Sequence, residues 1–493
     1  MNLTLERLKA IVLPFLGAVI FYVLFAYYLE RSEFIALLLL YGALFFVSWR
    51  IIEHSKLKFW TLVAIGICFR LLFLPAIPNL SQDFYRFLWD GRLLIQGVNP
   101  YILTPLSYMT DLSTASSIES FPSVPARADW RALEVTSGIT VSDAAILYNG
   151  MGELNASHYS NYPPVNQLCF AIAALLSGKS IVGSVVVLRV LIILADIGIV
   201  ILGKKLLERL KLPSKNIFWY FLNPFIIIEL TGNLHFEGVM LFFLVVALYA
   251  LCKKKWFWAA VLLGISISVK LLPLLLLPLF FGYFVKFKKN VKETTTSPFP
   301  ALGIFRLITF YVVVLVVVLL TFAPFLSSAF IANFSATIAL WFQNFEFNAS
   351  VYYIIRWIGY QTVGWNIIGT AGKILPIIVV IALLALSFFR RNTTLQQLIT
   401  AMLFGVSIYF LLSTTVHPWY VATPLILSVF TTYKFPIVWS FFVILSYSAY
   451  GANGFDENLW LVALEYVVVI SFAITEISSK TGKRHGNFRV VER

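Results

Sequence analysis

Long apolar runs recur along nearly the whole 493-residue chain, and their length is what most constrains its fold. A helix needs roughly 20 mostly apolar residues to cross the hydrocarbon core, and within lipid a helix satisfies its own backbone groups. Such runs lie at about 11–29, 34–50, 59–77, 181–203, 216–231, 237–252, 256–270, 271–286, 306–326, 371–389, 398–413, 418–432, 436–448 and 458–475. They predict an all-α polytopic membrane protein with about 12–14 transmembrane helices. Charged residues make up 12% of the chain, about half the share of a soluble domain. The three cysteines, Cys68, Cys169 and Cys252, sit in apolar surroundings and imply no disulfide framework or metal-type spacing. The first apolar run continues without a small-residue cleavage site, so it is expected to remain as a first span.

Basic residues orient these spans, because cytoplasmic loops hold the excess of Lys and Arg. The apolar stretch 164–177, preceded by YPP (162–164), is read as an interfacial or re-entrant helix on the outer side. Most of the 37 basic residues then fall on one side. They include Arg50, Lys56 and Lys58; Lys204, Lys205, Arg209 and Lys211; Lys253, Lys254 and Lys255; and Lys480, Lys483 and Arg484. Basic loops beside spans account for the net charge of +14, and no nucleic-acid-binding module is visible. Both termini are expected to be cytoplasmic. The expected organisation is N-terminal transmembrane helices (1–77), an outer loop with interfacial helices (78–180), transmembrane helices (181–286) and a cytoplasmic linker (287–305). C-terminal transmembrane helices (306–475) with an outer loop (327–370), and a basic cytoplasmic tail (476–493), complete it.

Under this topology the dense polar motifs face outward. The densest is SQDFYRFLWDGRLLIQGVNPY (81–101), where Asp83, Arg86 and Asp90 fall on one helix face and Arg92 follows. Asp83 is a candidate general base, with Asp90 in reserve; the alternative is a helix cap or a pair with Arg86. Arg86 and Arg92 offer the bidentate donors that suit a phosphate, unless they pair with the aspartates. NLHFE (233–237) supplies His235 and Glu237, VKLLP (269–273) supplies Lys270, FNASVY (347–352) supplies Asn348, and HPWY (417–420) supplies His417 and Tyr420. Ionisable groups at the membrane edge are costly and mark functional sites, although Lys270 would also sit there by snorkelling. Arg189 and Asp196 share one face of a span and are expected to form an internal charge pair between helices. No Gly-rich phosphate loop, G-x-S-x-G or H-E-x-x-H occurs, which argues against chemistry on a free nucleotide inside the cell. Asp83 and Asp90 lack an obvious third hard ligand, so no metal or other cofactor is expected.

These motifs, in this order, resemble the GT-C superfamily of integral-membrane glycosyltransferases, and most closely the bacterial polyprenol-phosphate-mannose-dependent mannosyltransferases. The resemblance rests on DFYRFLWDGR (83–92), GVNPY (97–101), YPP (162–164), NLHFE, VKLLP, FNASVY and HPWY, and so covers most of the chain. Relatives often carry a Gly-His-Asn-Asp type sequence where this chain has GNLHFE (232–237). The resemblance implies a GT-C-like bundle in the bacterial cytoplasmic membrane, with its active site on the outer face. It implies a hexosyltransferase that moves a sugar, mannose first, from a polyprenyl phosphate to a glycan or glycolipid acceptor with inversion. The aspartate of the first large outer loop is the expected base, which here is Asp83. The alternatives are a transferase for another lipid-phosphate-linked sugar, or a secondary transporter or lipid-carrier flippase. A transporter would show related halves with broken helices; here the polar groups lie in a long outer loop and no repeat is evident.

Overall fold

The computed structural model describes residues 2–54, 57–110, 139–285, 300–452 and 454–486. Among them the only paired strands are Tyr450–Gly451 and Gly454–Phe455, which form one small antiparallel hairpin. Everything else regular is helical, and the chain is an all-α polytopic membrane protein. Six described helices are long and apolar enough to cross a membrane: Phe34–Glu53, Ile181–Arg209, Gly303–Phe325, Ile368–Phe388, Leu395–Leu412 and Leu459–Lys480. A further pair, Ile226–Gly232 and Glu237–Cys252, passes the same test together but bends by 110°.

Several apolar runs expected as single spans are broken, each for a local reason. The run 216–231 stops at Asn223-Pro224, where the Asn223 side chain accepts the amide of Phe225, and resumes as a π-helix over Ile226–Gly232. Between 271 and 286, Pro273 and Pro278 remove backbone donors, and Leu272–Leu279 winds as a 3-10 helix before the short helix Phe280–Phe284. The run 436–448 is an α-helix over Phe435–Phe442 that tightens to a 3-10 helix over Val443–Ala449. Of the expected 287–305 linker, 287–299 lie outside the described residues, and the helix Pro300–Phe322 begins directly after them. The expected tail is helical as far as Gly486.

Buried charges fasten the bundle. Arg70 donates from Nε to Asp196 Oδ2 at 2.9 Å, and Tyr220 donates to Asp196 Oδ1 at 2.9 Å. The expected inter-helix charge pair of Asp196 is therefore made with Arg70. Arg189 has a different task. Its guanidinium donates to the carbonyls of Thr231 and Gly232 on the π-helix, and of Phe73, Leu74 and Ala76 after the Phe59–Leu71 helix. Carbonyls at helix ends need such partners when buried, and one arginine fixes both chain ends that lead to the polar motifs.

The two ends of the bundle differ chemically. The Ile181–Arg209 helix starts beside Lys179, whose carbonyl accepts Arg92, and ends among Lys204, Lys205 and Arg209. Glu237–Cys252 and Trp256–Val269 form an αα-hairpin whose turn is Lys253, Lys254 and Lys255. Polar motifs thus gather at one end and lysine-rich turns at the other.

Candidate active site

Similar lengths in that hairpin bring its open ends level. Glu237 opens the first helix, where the positive end of the helix dipole favours a carboxylate, and Lys270 closes the second with an extended backbone. Lys270 Nζ and Glu237 Oε1 meet as an ion pair. The bend between the π-helix and Glu237 is made by residues 233–236, with Leu234 at a positive φ of 62°. His235 projects from that bend onto the indole of Trp419, ring centroids 3.6 Å apart and 16° from parallel. His417 stacks on Trp419 as well, at 4.6 Å and 4°. A backbone bridge between Phe347 and Thr415, with Val416 donating to the Phe347 carbonyl at 2.8 Å, sets the 414–420 segment in place. Aromatic stacking therefore joins a loop from the first half of the chain to one from the second.

Asp83 enters from the helix Asp83–Leu94. That helix is seated by Phe87, which stacks on Phe170 at 4.6 Å and meets Phe236 edge-on at 5.8 Å, so its position is tied directly to the His235 bend. Gly91 allows the close approach: a Cβ there would lie 2.3 Å from the Phe170 carbonyl oxygen. Asp83 is half-buried. Burial pushes its carboxyl up from the usual range to about 6; Lys270 and Arg31 oppose the rise and Glu237 adds to it. Tyr420 lies beneath Lys270, whose Nζ is 5.9 Å from the ring centroid. His417 is pushed down to about 3, first by burial and then by Lys270 and Arg31, so it is neutral near pH 7. Buried polar atoms almost always find a partner. Among the described residues, however, neither Glu237 Oε2 nor His235 Nε2 has a hydrogen bond; the nearest carboxylate oxygen to His235 Nε2 is Glu229 Oε2, at 3.8 Å.

The structure thus gathers Asp83, His235, Glu237, Lys270, His417 and Tyr420. It treats the remaining sequence candidates differently. Arg86 Nε donates to Asp90 Oδ1 at 2.7 Å, and its Nη1 donates to the carbonyls of Asn155 and His158. Asp90 also accepts Ser160 Oγ at 2.5 Å and Gln167 Nε2 at 2.9 Å, with its side chain fully buried. Arg92 donates to the carbonyls of Ser142 and Lys179 and lies 3.5 Å from Asp143. These three hold the Asp83 helix against its neighbours. Asn348, at a positive φ of 46°, belongs to a separate buried network: its amide donates to Glu457 at 2.7 Å and its carbonyl accepts Tyr466 at 2.7 Å.

Sequence reasoning passed over Arg31, counting it only among the few basic residues on the outer side. Its guanidinium lies 3.1 Å from the ring centroid of Tyr450, and its charge acts on both Asp83 and His417. Glu229 and Tyr447, joined at 2.8 Å across the two halves of the chain, were missed too. Glu229 sits inside an apolar run, and a lone carboxylate there was the available signal. Among the described residues, no group of three or more His, Cys, Asp or Glu side chains is gathered as a metal-ligand set.

Fold and site together define a polytopic membrane protein whose charged and aromatic groups converge at one end of a helical bundle. Residues 138–286 match the N-terminal domain of the alpha-(1->6)-mannopyranosyltransferase family, a GT-C-type mannosyltransferase family. The chain is similar to that family over this stretch, which supports glycosyltransferase activity. The matched segment contains His235, Glu237 and Lys270; Asp83 lies before it, and His417 and Tyr420 lie after it. No curated protein matches the chain.

Proposed function

We propose that this protein is an inverting glycosyltransferase that moves mannose from a polyprenyl-phosphate donor to a glycan or glycolipid acceptor on the outer face of a bacterial cytoplasmic membrane. The observation that carries the reading is the convergence of Asp83, the Glu237–Lys270 pair, Arg31 and the His235–Trp419–His417 stack. With both termini cytoplasmic, this end of the bundle faces outward and the lysine-rich turns face inward, as the positive-inside bias favours. The acceptor hydroxyl oxygen attacks the anomeric carbon as its proton passes to the Asp83 carboxylate. The bond from that carbon to the phosphate oxygen breaks, and the electron pair leaves on the lipid phosphate. Lys270 and Arg31 are the cations that meet this developing charge; fixed charges in a site that excludes water contribute much of such a rate enhancement. Glu237 holds Lys270, while the stacked imidazoles, Tyr420 and the indole between them line the sugar. Asp90, Arg86 and Arg92 position the base helix, and Asn348 anchors the neighbouring loop.

The test is transfer from polyprenyl-phosphate mannose to a soluble mannoside by the protein purified in detergent. The wild-type chain should transfer, and Asp83→Asn should not. Intact transfer in Asp83→Asn would remove the base assignment, and no transfer from any polyprenyl-phosphate sugar would remove the enzyme reading. We also propose a metal-independent reaction, because Lys270 and Arg31 already supply cationic charge beside Asp83. The rate should be unchanged by a chelator; a loss restored by Mg²⁺ or Mn²⁺ would overturn this.

A further inference from the structure

The hairpin Tyr450–Gly451 and Gly454–Phe455, with the residues that follow it, surrounds an open depression of about 650 Å³ that the candidate chemistry does not use. That volume lies within the roughly 300–1,000 Å³ typical of small-ligand sites. Its lining includes Ser448, Asp456, Glu457, Asn458 and Trp460. From these groups the structure assigns an acceptor-saccharide subsite; the assignment rests on the transferase reading above.

The lining chemistry is that of a sugar site. Trp460 is 87% exposed and offers a flat apolar face to the C–H face of a pyranose. Carboxylate, amide and hydroxyl groups around it can pair with hydroxyls as donors or acceptors. Ser448 Oγ is buried in the wall and has no hydrogen bond among the described residues. Asp456 and Glu457 make the depression acidic, which disfavours phosphate and anionic lipid headgroups and leaves a neutral oligosaccharide as the matching ligand. The wall is also fixed in place. Glu457 accepts the Asn348 amide at 2.7 Å and the Tyr353 hydroxyl, Asp456 donates from its backbone to the Ala449 carbonyl at 2.9 Å, and Asn458 caps the last helix by accepting the amide of Trp460 at 3.1 Å.

The hairpin beside the depression reaches the surroundings of the candidate base, whose charge acts on Tyr450. Tyr450, on the hairpin, carries Arg31 on its face and lies 5.9 Å from Phe347, which is itself 5.3 Å from His417. A chain bound over Trp460 would therefore lead its terminal hydroxyl toward Asp83.

An α-1,6-linked mannotriose is the probe. In full-length protein, Trp460→Leu should raise the acceptor KM about 2–13-fold, the range a lost stacking contact of roughly 0.5–1.5 kcal/mol implies, and Asp456→Asn should raise it as well. kcat at saturating acceptor and the donor KM should not move. Mannotriose binding, measured by saturation-transfer NMR on the Asp83→Asn protein, should weaken by the same factor when Trp460→Leu is added. Acceptor KM and binding that are unchanged by both substitutions would overturn the subsite. So would a loss confined to kcat and thermal stability in Trp460→Leu, which would make the indole an interfacial anchor only. If mannotriose binds through Trp460 while wild-type protein transfers from no polyprenyl-phosphate sugar, the transferase reading fails and the saccharide site stands.

Discussion

Asp83 and Asp90 sit two turns apart on one helix, yet their surroundings are opposite. Asp90 is enclosed by Arg86, Ser160 and Gln167, each within hydrogen-bond distance. Asp83 is half-buried, feels Lys270, Glu237 and Arg31, and has its carboxyl raised to about 6. A carboxylate held on both oxygens by buried donors serves the fold. One raised toward neutrality beside exchangeable charge can take and release a proton. The same contrast separates the arginines, since Arg86 is tied to backbone carbonyls whereas Arg31 rests on an aromatic face.

The contrast is tested most strongly by removing each carboxylate in turn. Asp83→Asn should lower turnover about 10²–10⁴-fold, the usual contribution of a general base, with little change in thermal stability. Asp90→Ala should do the reverse: it strands Arg86 in the interior, and breaking a buried pair typically costs about 3–5 kcal/mol. Its thermal midpoint in detergent should fall sharply, with activity lost in proportion to unfolded protein. Equal effects on turnover at full folding would merge the two roles.

A smaller effect follows from pH. A base must be deprotonated, so turnover should be flat above about pH 6 and fall roughly tenfold per unit below it. The limb belongs to Asp83, because His417, lowered to about 3, stays neutral across that range. A limb that persists unchanged in the residual activity of Asp83→Asn would assign it to another group.

Much of this arrangement was legible in the chain. Apolar run length predicted the all-α membrane architecture, and the motifs at 83, 235, 237, 270, 417 and 420 do meet at one end. Spacing also showed that Arg86 and Asp90 could pair as i and i+4 neighbours. It could not show that Ser160 and Gln167 would complete the enclosure, because those partners arrive from a different helix and turn. The Glu229–Tyr447 contact spans 218 positions, and only the folded bundle brings it together. The hairpin at 450–455 is written in GANG (451–454), which reads as a plain loop, and Arg31 reads only as one of the few basic residues on the outer side until Tyr450 is placed under it. Breaks in the apolar runs were better marked, by Asn223-Pro224, Pro273 and Pro278.

The smallest expected change tests how the helix carrying both aspartates is held. At Gly91 the helix passes so close to the Phe170 carbonyl that an added methyl would lie 2.3 Å from its oxygen. Backbone cannot yield as a side-chain tip does, so Gly91→Ala must push the helix outward, at a cost of about 1–3 kcal/mol typical of overpacking. Phe87 would then slide on Phe170 and Phe236, and Asp83 would shift relative to Lys270. Because catalysis depends on near-contact geometry, turnover of the folded fraction should fall more than the stability change alone explains. If Gly91→Ala loses stability but keeps full turnover per folded molecule, the aromatic seat supports the helix without setting the position of its base.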